Sequence, residues 1–232
     1  MRKVRDYYFK KAKKDHYPAR SVYKLEEVQE KYRFLHRGDS VLDLGCYPGS
    51  WSLYAAEVVG PKGIVVGVDL QQAEESPRPD SAPIHWLCHD ITEPDLIPLL
   101  RRIRPAFKVL ISDLAPRTTG SRWVDSQQSL ILVRKTLALA EILLLEKGHY
   151  LCKVFQGEDF PAFIEEVKSR FVTVKVLKPK SSRVESREVF VLAMEYRRPA
   201  QVAAAVPGAD AMCATEDNDR GDASGLNGII NR

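Results

Sequence analysis

The 232-residue chain has only four cysteines, Cys46, Cys88, Cys152 and Cys213, and no two stand at C-x-x-C spacing. Zinc knuckles and disulfide frameworks need paired cysteines, so neither is expected. Cys46, Cys88 and Cys152 lie in apolar, strand-like runs, where a free thiol serves as a small hydrophobe. No apolar run reaches the length of a membrane span, and none follows the basic N-terminus as a secretory signal requires. The expectations are a reducing cytoplasm, no membrane and no metal. Neither G-x-G-x-x-G nor G-x-x-x-x-G-K-[ST] occurs, which removes the usual dinucleotide and phosphate-loop signatures. There is no internal repeat.

What is present is a globular composition with unevenly spread charge. The net charge is +4, yet residues 1–37 carry twelve Lys and Arg against five Asp and Glu. Residues 199–232 carry two Arg against five acids and are rich in Ala, Gly, Asp and Asn. The basic front suits RNA or DNA, although a solvated, charged surface helix has the same composition. The tail has little apolar periodicity and reads as disordered. Three segments are expected: a basic N-terminal segment and helix over 1–37, a candidate for RNA binding, a main domain over 38–198, and the tail over 199–232.

Helical and strand periods alternate along the main domain. Val22, Leu25, Val28 and Tyr32 recur at helical spacing and predict an amphipathic helix within Ala19–Leu35. Strands are predicted at Ser40–Gly45, Ile64–Leu70, Ile84–Ile91, Phe107–Ala115 and Tyr150–Phe155. Helices are predicted at Ser50–Val59, Asp95–Ile103, Asp125–Glu146 and Phe160–Phe171. Thr173–Leu177 and Val189–Glu195 read as a closing hairpin. Near-continuous apolar strands separated by helices give an α/β fold. Its seven-stranded sheet is mostly parallel, with helices on both faces and one antiparallel strand. Ligands in such sheets bind outside the carboxyl ends of the strands, near the switch in strand order. Asp43, Asp69, Asp90, Asp113 and Lys153 all stand at or near those ends.

The most informative stretch is Val41-Leu42-Asp43-Leu44-Gly45-Cys46-Tyr47-Pro48-Gly49-Ser50-Trp51-Ser52. An apolar strand ends in an acid and a glycine turn, and a helix follows. Glycines let the backbone approach a ligand, and the new helix presents free N–H groups. An ordinary strand-to-helix turn has the same outline. No lysine stands ready for a phosphate, which favours a nucleoside with an uncharged or cationic tail. Asp69 can accept ribose hydroxyls and Asp90 an exocyclic amine. Each acid alone is equally a loop or capping carboxylate. Four of them on successive strand ends outline an adenosine-shaped pocket.

This loop resembles the S-adenosylmethionine loop of the FtsJ/RrmJ (RlmE) ribosomal RNA 2′-O-methyltransferases. Four further segments agree in order and spacing across residues 5–197. They are Arg20-Ser21-Val22-Tyr23-Lys24-Leu25, Ser112-Asp113-Leu114-Ala115-Pro116, Lys153-Val154-Phe155-Gln156-Gly157 and Ser186-Arg187-Glu188-Val189-Phe190. The resemblance implies a Rossmann-like class I methyltransferase. It implies a Lys-Asp-Lys-Glu tetrad at Lys24, Asp113, Lys153 and Glu188. It also implies cofactor contacts at Gly45, Pro48, Gly49, Trp51, Asp69, Asp90 and Asp113, beside Asp43 at the start of the turn. The implied partner is ribosomal RNA within the large subunit, methylated by a monomer at a uridine of the peptidyl-transferase region. The chain departs from the family at Cys46 and Tyr47, where small residues are usual, and at Ser50, often a glycine.

The chemistry explains why such residues are needed. A ribose 2′-hydroxyl is a weak acid and must lose its proton as it attacks. A lysine accepts that proton only when neutral, and free lysine titrates near 10.4. A nearby ammonium and partial burial both lower that value. Lys153 is therefore expected as the general base or proton relay, with Lys24 as the second positive charge. Asp113 and Glu188 are expected to orient the lysines. The candidate phosphate contacts are Arg2, Lys3, Arg5, Lys10, Lys11, Lys13, Lys14 and Arg20. Tyr7, Tyr8 and Phe9 either stack on unpaired bases or pack on the domain. Arg183 and Arg187 extend the groove. Two other readings share these features: a transfer-RNA ribose methyltransferase of the same fold, and a non-catalytic RNA-binding ribosome-assembly factor.

Overall fold

The structure, a computed structural model, describes residues 2–182 and 186–198, and only the backbone of residues 2–6. The expected disordered tail and Arg183 fall outside the described residues, as do the side chains of Arg2, Lys3 and Arg5. The chain opens with α1 (Arg2–Lys14), α2 (Val22–Tyr32), β1 (Ser40–Leu44), α3 (Ser50–Val59), β2 (Ile64–Asp69) and β3 (Ile84–Cys88). It continues with α4 (Leu96–Ile103), β4 (Phe107–Ser112), α5 (Arg122–Leu143), β5 (Leu144–Phe155), α6 (Phe160–Lys168), β6 (Phe171–Leu177) and β7 (Glu188–Tyr196). The seven strands form one sheet in the order β3-β2-β1-β4-β5-β7-β6. β7 runs antiparallel to both β5 and β6, and all other pairings are parallel. Strand order therefore reverses between β1 and β4, where this kind of sheet opens a crevice.

Strand alternation sorts the core into two faces. Val41, Val65, Val109, Ile111, Leu151 and Phe190 point one way and are covered by α2 and α3 through Leu25, Val28, Trp51 and Ala55. Leu42, Val66, Leu110, Cys152 and Val191 point the other way, under α4, α5 and α6. Leu25 and Val28 are fully or nearly buried. Each such side chain contributes about 1.5–3 kcal/mol, enough to hold α2 against the sheet.

Several boundaries differ from the sequence expectation: β3 and β4 end at Cys88 and Ser112, short of Ile91 and Ala115, and α6 ends at Lys168, so that Phe171, expected in that helix, opens β6; two segments differ more. α5 stops at Leu143 and β5 begins at Leu144, where Glu146 and Tyr150 were expected as boundaries. Leu144 already pairs with Phe107, then the register shifts before His149 meets Val109. The charged residues Glu146 and Lys147 occupy that irregularity, with Lys147 at φ 57°. Their polarity continues a helical pattern although they belong to a bulged strand. The second difference is α1, which packs through Ala12 and Tyr8 onto Val22 and Tyr23.

Candidate active site

The turn after β1 is shaped by what its glycines leave out. Gly45 and Gly49 have φ of 82° and 111°, a region that favours glycine. The amides of Gly45 and Cys46 donate to the Val68 carbonyl at 2.8 and 3.2 Å, which folds the turn back over β2. A side chain at position 45 would begin 2.6 Å from Leu114. The loop after β4 therefore closes directly onto this turn. A side chain at 49 would begin 3.2 Å from the Trp86 ring. Cys46 fits although it is larger than the usual residue, because Gly67 beneath it has no side chain; a Cβ there would be 3.0 Å from Sγ. Burial pushes the Cys46 thiol up, so it is not a nucleophile. Tyr47 turns its ring outward and is 47 % exposed, which keeps its bulk off the turn.

The four acids have different environments. Asp43 is fully buried and its Oδ2 accepts a bond from Ser52 Oγ at 2.6 Å, while Oδ1 has no partner. Burial pushes its carboxyl up to about 7, helped by the negative charges of Asp113 and Asp69 and opposed by the Ser52 bond. Asp69 accepts the Tyr47 and Gln71 amides at 3.1 and 2.9 Å, one on each oxygen. Each oxygen has a second lone pair for a hydroxyl. Asp90 uses Oδ1 to accept the amide and hydroxyl of Thr92, both at 2.8 Å, and the amide bond is the main cause that holds its carboxyl low. Asp113 follows β4 and accepts from Lys153 Nζ at 2.8 Å.

The four tetrad positions converge as two ion pairs. Lys153 sits on β5 opposite Phe190 of β7, on the face that α2 and α3 cover. It is 7 % exposed and also donates to the Asp113 backbone carbonyl. Lys24, on α2, forms the second pair with Glu188 Oε1 at 2.6 Å. Its Nζ lies 5.4 Å from the centroid of the Phe190 ring. Phe190 is thus a neighbour of both lysines, across the strand from Lys153 and under Lys24. Sequence reasoning missed Phe190, although the alternation of β7 around Glu188 puts it on the same face. Ser182 Oγ also donates to Glu188 Oε1, at 3.1 Å. A cleft of ≈ 230 Å³ opens here, lined by Arg20, Lys24, Ser186 and Glu188.

Lys24 reaches this place because the residues before α2 are tied to the start of α3. The Ala19 amide donates to Ser50 Oγ at 2.7 Å, and Trp51 Nε1 donates to the Ser21 carbonyl at 2.9 Å. Trp51 is 3 % exposed and packs on Phe190 with ring centroids 5.8 Å apart. Its side chain is thus a strut between α2, α3 and β7 rather than a wall of the turn. Only its backbone amide, in the first turn of α3, is left to a ligand. Ser50, which replaces a frequent glycine, is part of the same tie. In α1 the aromatics divide: Tyr8 packs on Tyr23 at 5.4 Å, whereas Tyr7 and Phe9 are 61 % and 64 % exposed.

The donor set suits a nucleoside with a cationic tail. Backbone is left bare at Gly45 and Gly49, carboxylates stand at the strand ends, and one buried carboxyl oxygen has no partner. Among the described residues no group of three or more His, Cys, Asp or Glu is placed to hold a metal ion. Among them, too, no helix is long and apolar enough to cross a membrane.

Residues 17–196 match the model of the FtsJ-like methyltransferase family. A protein of Desulfotalea psychrophila named ribosomal RNA large subunit methyltransferase E is 66 % identical over 86 % of this chain and 99 % of its own length. One of the same name from Syntrophobacter fumaroxidans is 46 % identical over 84 % of this chain and 98 % of its own. Among solved structures, a putative ribosomal RNA methyltransferase of Plasmodium falciparum is 25 % identical with a TM-score of 0.68, covering 79 % of this chain and all of its own.

Proposed function

The chain belongs to the FtsJ-like methyltransferase family, and we propose that it methylates the 2′-hydroxyl of a ribose in large-subunit ribosomal RNA, using S-adenosylmethionine. The target nucleotide in this reading is a uridine of the peptidyl-transferase region. The observation that carries it is the convergence of Lys153–Asp113 and Lys24–Glu188 beside the glycine turn. The names of the two relatives supply the substrate class.

The bound cofactor supplies a methyl group on a sulfonium, an electrophile that already has a good leaving group. Asp69 and Asp90 would hold its ribose and its exocyclic amine, and the bare backbone at Gly45 and Gly49 would let it lie against the turn. Asp43, Pro48 and the Trp51 amide complete that side. Across the strand ends, Lys153 Nζ, once its ammonium has lost a proton to solvent, would take the proton of the 2′-hydroxyl as the oxygen attacks the methyl carbon and the thioether leaves. Asp113 holds Nζ in place through both its carboxylate and its backbone carbonyl. Lys24, anchored by Glu188, positions the ribose from the side of the cleft. In-line placement of two bound reactants removes much of the barrier, since effective molarities reach about 10⁵ M or more.

The experiment is tritiated methyl transfer to large ribosomal subunits, free ribosomal RNA and transfer RNA, with Lys153→Ala in parallel. The expected result is labelling of subunits and loss of activity by about 10²-fold or more in the variant. Labelling of transfer RNA alone would move the substrate to that class. Full activity of Lys153→Ala with intact RNA binding would remove Lys153 as the base.

A further inference from the structure

Trp123 is the one tryptophan of the three that faces solvent. It is 61 % exposed, whereas Trp51 is buried and Trp86 is half-buried with its Nε1 bonded to the Glu75 carbonyl. It stands in the first turn of α5, on the opposite face of the sheet from α2. That turn is tied to both halves of the site just described. Ser126 Oγ donates to the Trp123 carbonyl at 2.8 Å and packs so closely on Gly157 that a Cβ there would be 2.6 Å away. Gly157 ends the segment that begins at Lys153. Arg187, next to Glu188, donates to the Arg122 carbonyl at 2.7 Å and to the Gln156 carbonyl at 3.5 Å.

The surroundings of the ring are cationic. Arg122, its neighbour in the chain, and Arg117, in the loop that leads into α5, are exposed, Arg187 bonds the backbone of the same turn, and the acid of that turn, Asp125, is buried. The loop that carries Arg117 is fixed on α5, because the Thr119 amide and hydroxyl donate to Asp125 Oδ1 at 2.7 and 2.9 Å. A singly exposed aromatic is common on protein surfaces, so what points to a partner here is its place in a turn bonded to both strand-end segments of the site, together with the arginines of that turn. Arginines around it disfavour a second copy of this chain, which would set like charges face to face. They suit a polyanion with flat, stackable groups.

We propose that Trp123 is a stacking platform for an RNA base that flanks the acceptor ribose, with Arg117 and Arg122 taking the neighbouring phosphates. RNA is then gripped from both faces of the sheet: by the Arg20–Lys24 cleft on one side and by the Trp123 rim on the other. Stacking accepts any base, so this rim adds affinity and registers the strand without reading its sequence. The proposal rests on RNA as the substrate.

The test uses the full chain, and it reads RNA binding and methyl transfer separately. Intrinsic fluorescence is titrated with a single-stranded RNA 12-mer. Initial rates are measured on large ribosomal subunits from a strain that lacks this methylation. Saturable quenching is expected in the wild type and not in Trp123→Phe or Trp123→Ala. The Trp123→Ala variant should raise KM for subunits about 5- to 150-fold, the loss of one stacked base, with kcat and the cofactor KM nearly unchanged. Trp123→Phe should recover most of that loss. An unchanged KM in an otherwise active enzyme overturns the stacking role and leaves the methyl-transfer reading standing. A raised KM without quenching by naked RNA also overturns it, and puts a ribosomal protein on this residue. Absence of methyl transfer by the wild type removes both readings.

Discussion

Asp43 should impose a pH dependence on folding that its replacement abolishes. Its carboxyl is fully buried and is pushed up to about 7, from an ordinary value of 3.8. In the unfolded chain it loses its proton near pH 4, while in the folded protein it keeps it almost to neutrality. Between those limits only the folded state holds the proton, so stability falls as pH rises, by about 1.4 kcal/mol per pH unit. The contribution is whole below the unfolded value and gone above about pH 7. Between about pH 5 and pH 8 the loss comes to about 3 kcal/mol. Asp43→Asn still accepts from Ser52 but places an amide where Oδ1 has no partner, a constant cost of about 1–3 kcal/mol. That offset is the same at both pH values. The informative quantity is therefore the change in the wild-type-minus-variant difference, measured by urea unfolding of the cofactor-free protein. Titrating groups that do not interact with Asp43 cancel in it. A difference that stays constant within about 0.5 kcal/mol would mean that Asp43 is ionised in the folded protein and would refute its assignment as a neutral acid.

Three other outcomes are expected. His149 acts in the opposite direction: burial, then Lys108 and His36, hold its imidazole down to about 4, so stability is lost as pH falls from about 6.5 towards 4. His149→Gln should remove that acid branch in the same unfolding assay. Gly49→Ala forces a side chain into φ 111° and to 3.2 Å from Trp86. It should cost about 1–3 kcal/mol and weaken S-adenosylmethionine binding by calorimetry, and unchanged binding would separate the turn from the cofactor. Glu188→Gln leaves Lys24 without its counter-charge at 13 % exposure. It should destabilise by about 1–3 kcal/mol and lower kcat more than it raises the RNA KM, because it frees the lysine that positions the ribose. A pure KM effect in steady-state kinetics would place Lys24 in RNA binding alone.

The strands were legible where they are short and mostly apolar. Ser40–Leu44 is buried along its whole length, and its run of apolar residues stops at a glycine turn. β5 was less legible, since Glu146, Lys147 and Gly148 interrupt a strand that touches its neighbour on both sides of the bulge. Local polarity cannot tell a strand with a bulge from the end of a helix. α1 was open only as a charged surface helix, without bounds, for a related reason: its aromatics and cations show no clear apolar stripe until α2 is there to receive Tyr8 and Ala12.

By itself, the sequence determined the α/β class, the glycine turn and the acids at strand ends, because these follow from period, turn chemistry and adjacency along the chain. It also marked Lys24, Asp113, Lys153 and Glu188, through resemblance to a family. Only the tertiary structure decided how they pair. Lys24 joins Glu188 across 164 residues of chain because α2 is tied to α3 and packed on β7, and Lys153 joins Asp113 because β4 and β5 are neighbours. It also decided that Trp51 is a strut, that Cys46 fits over Gly67, and that Trp123 faces solvent beside the site. Each of those outcomes depends on which surfaces meet, and a distance in space is not encoded in any single stretch of the sequence.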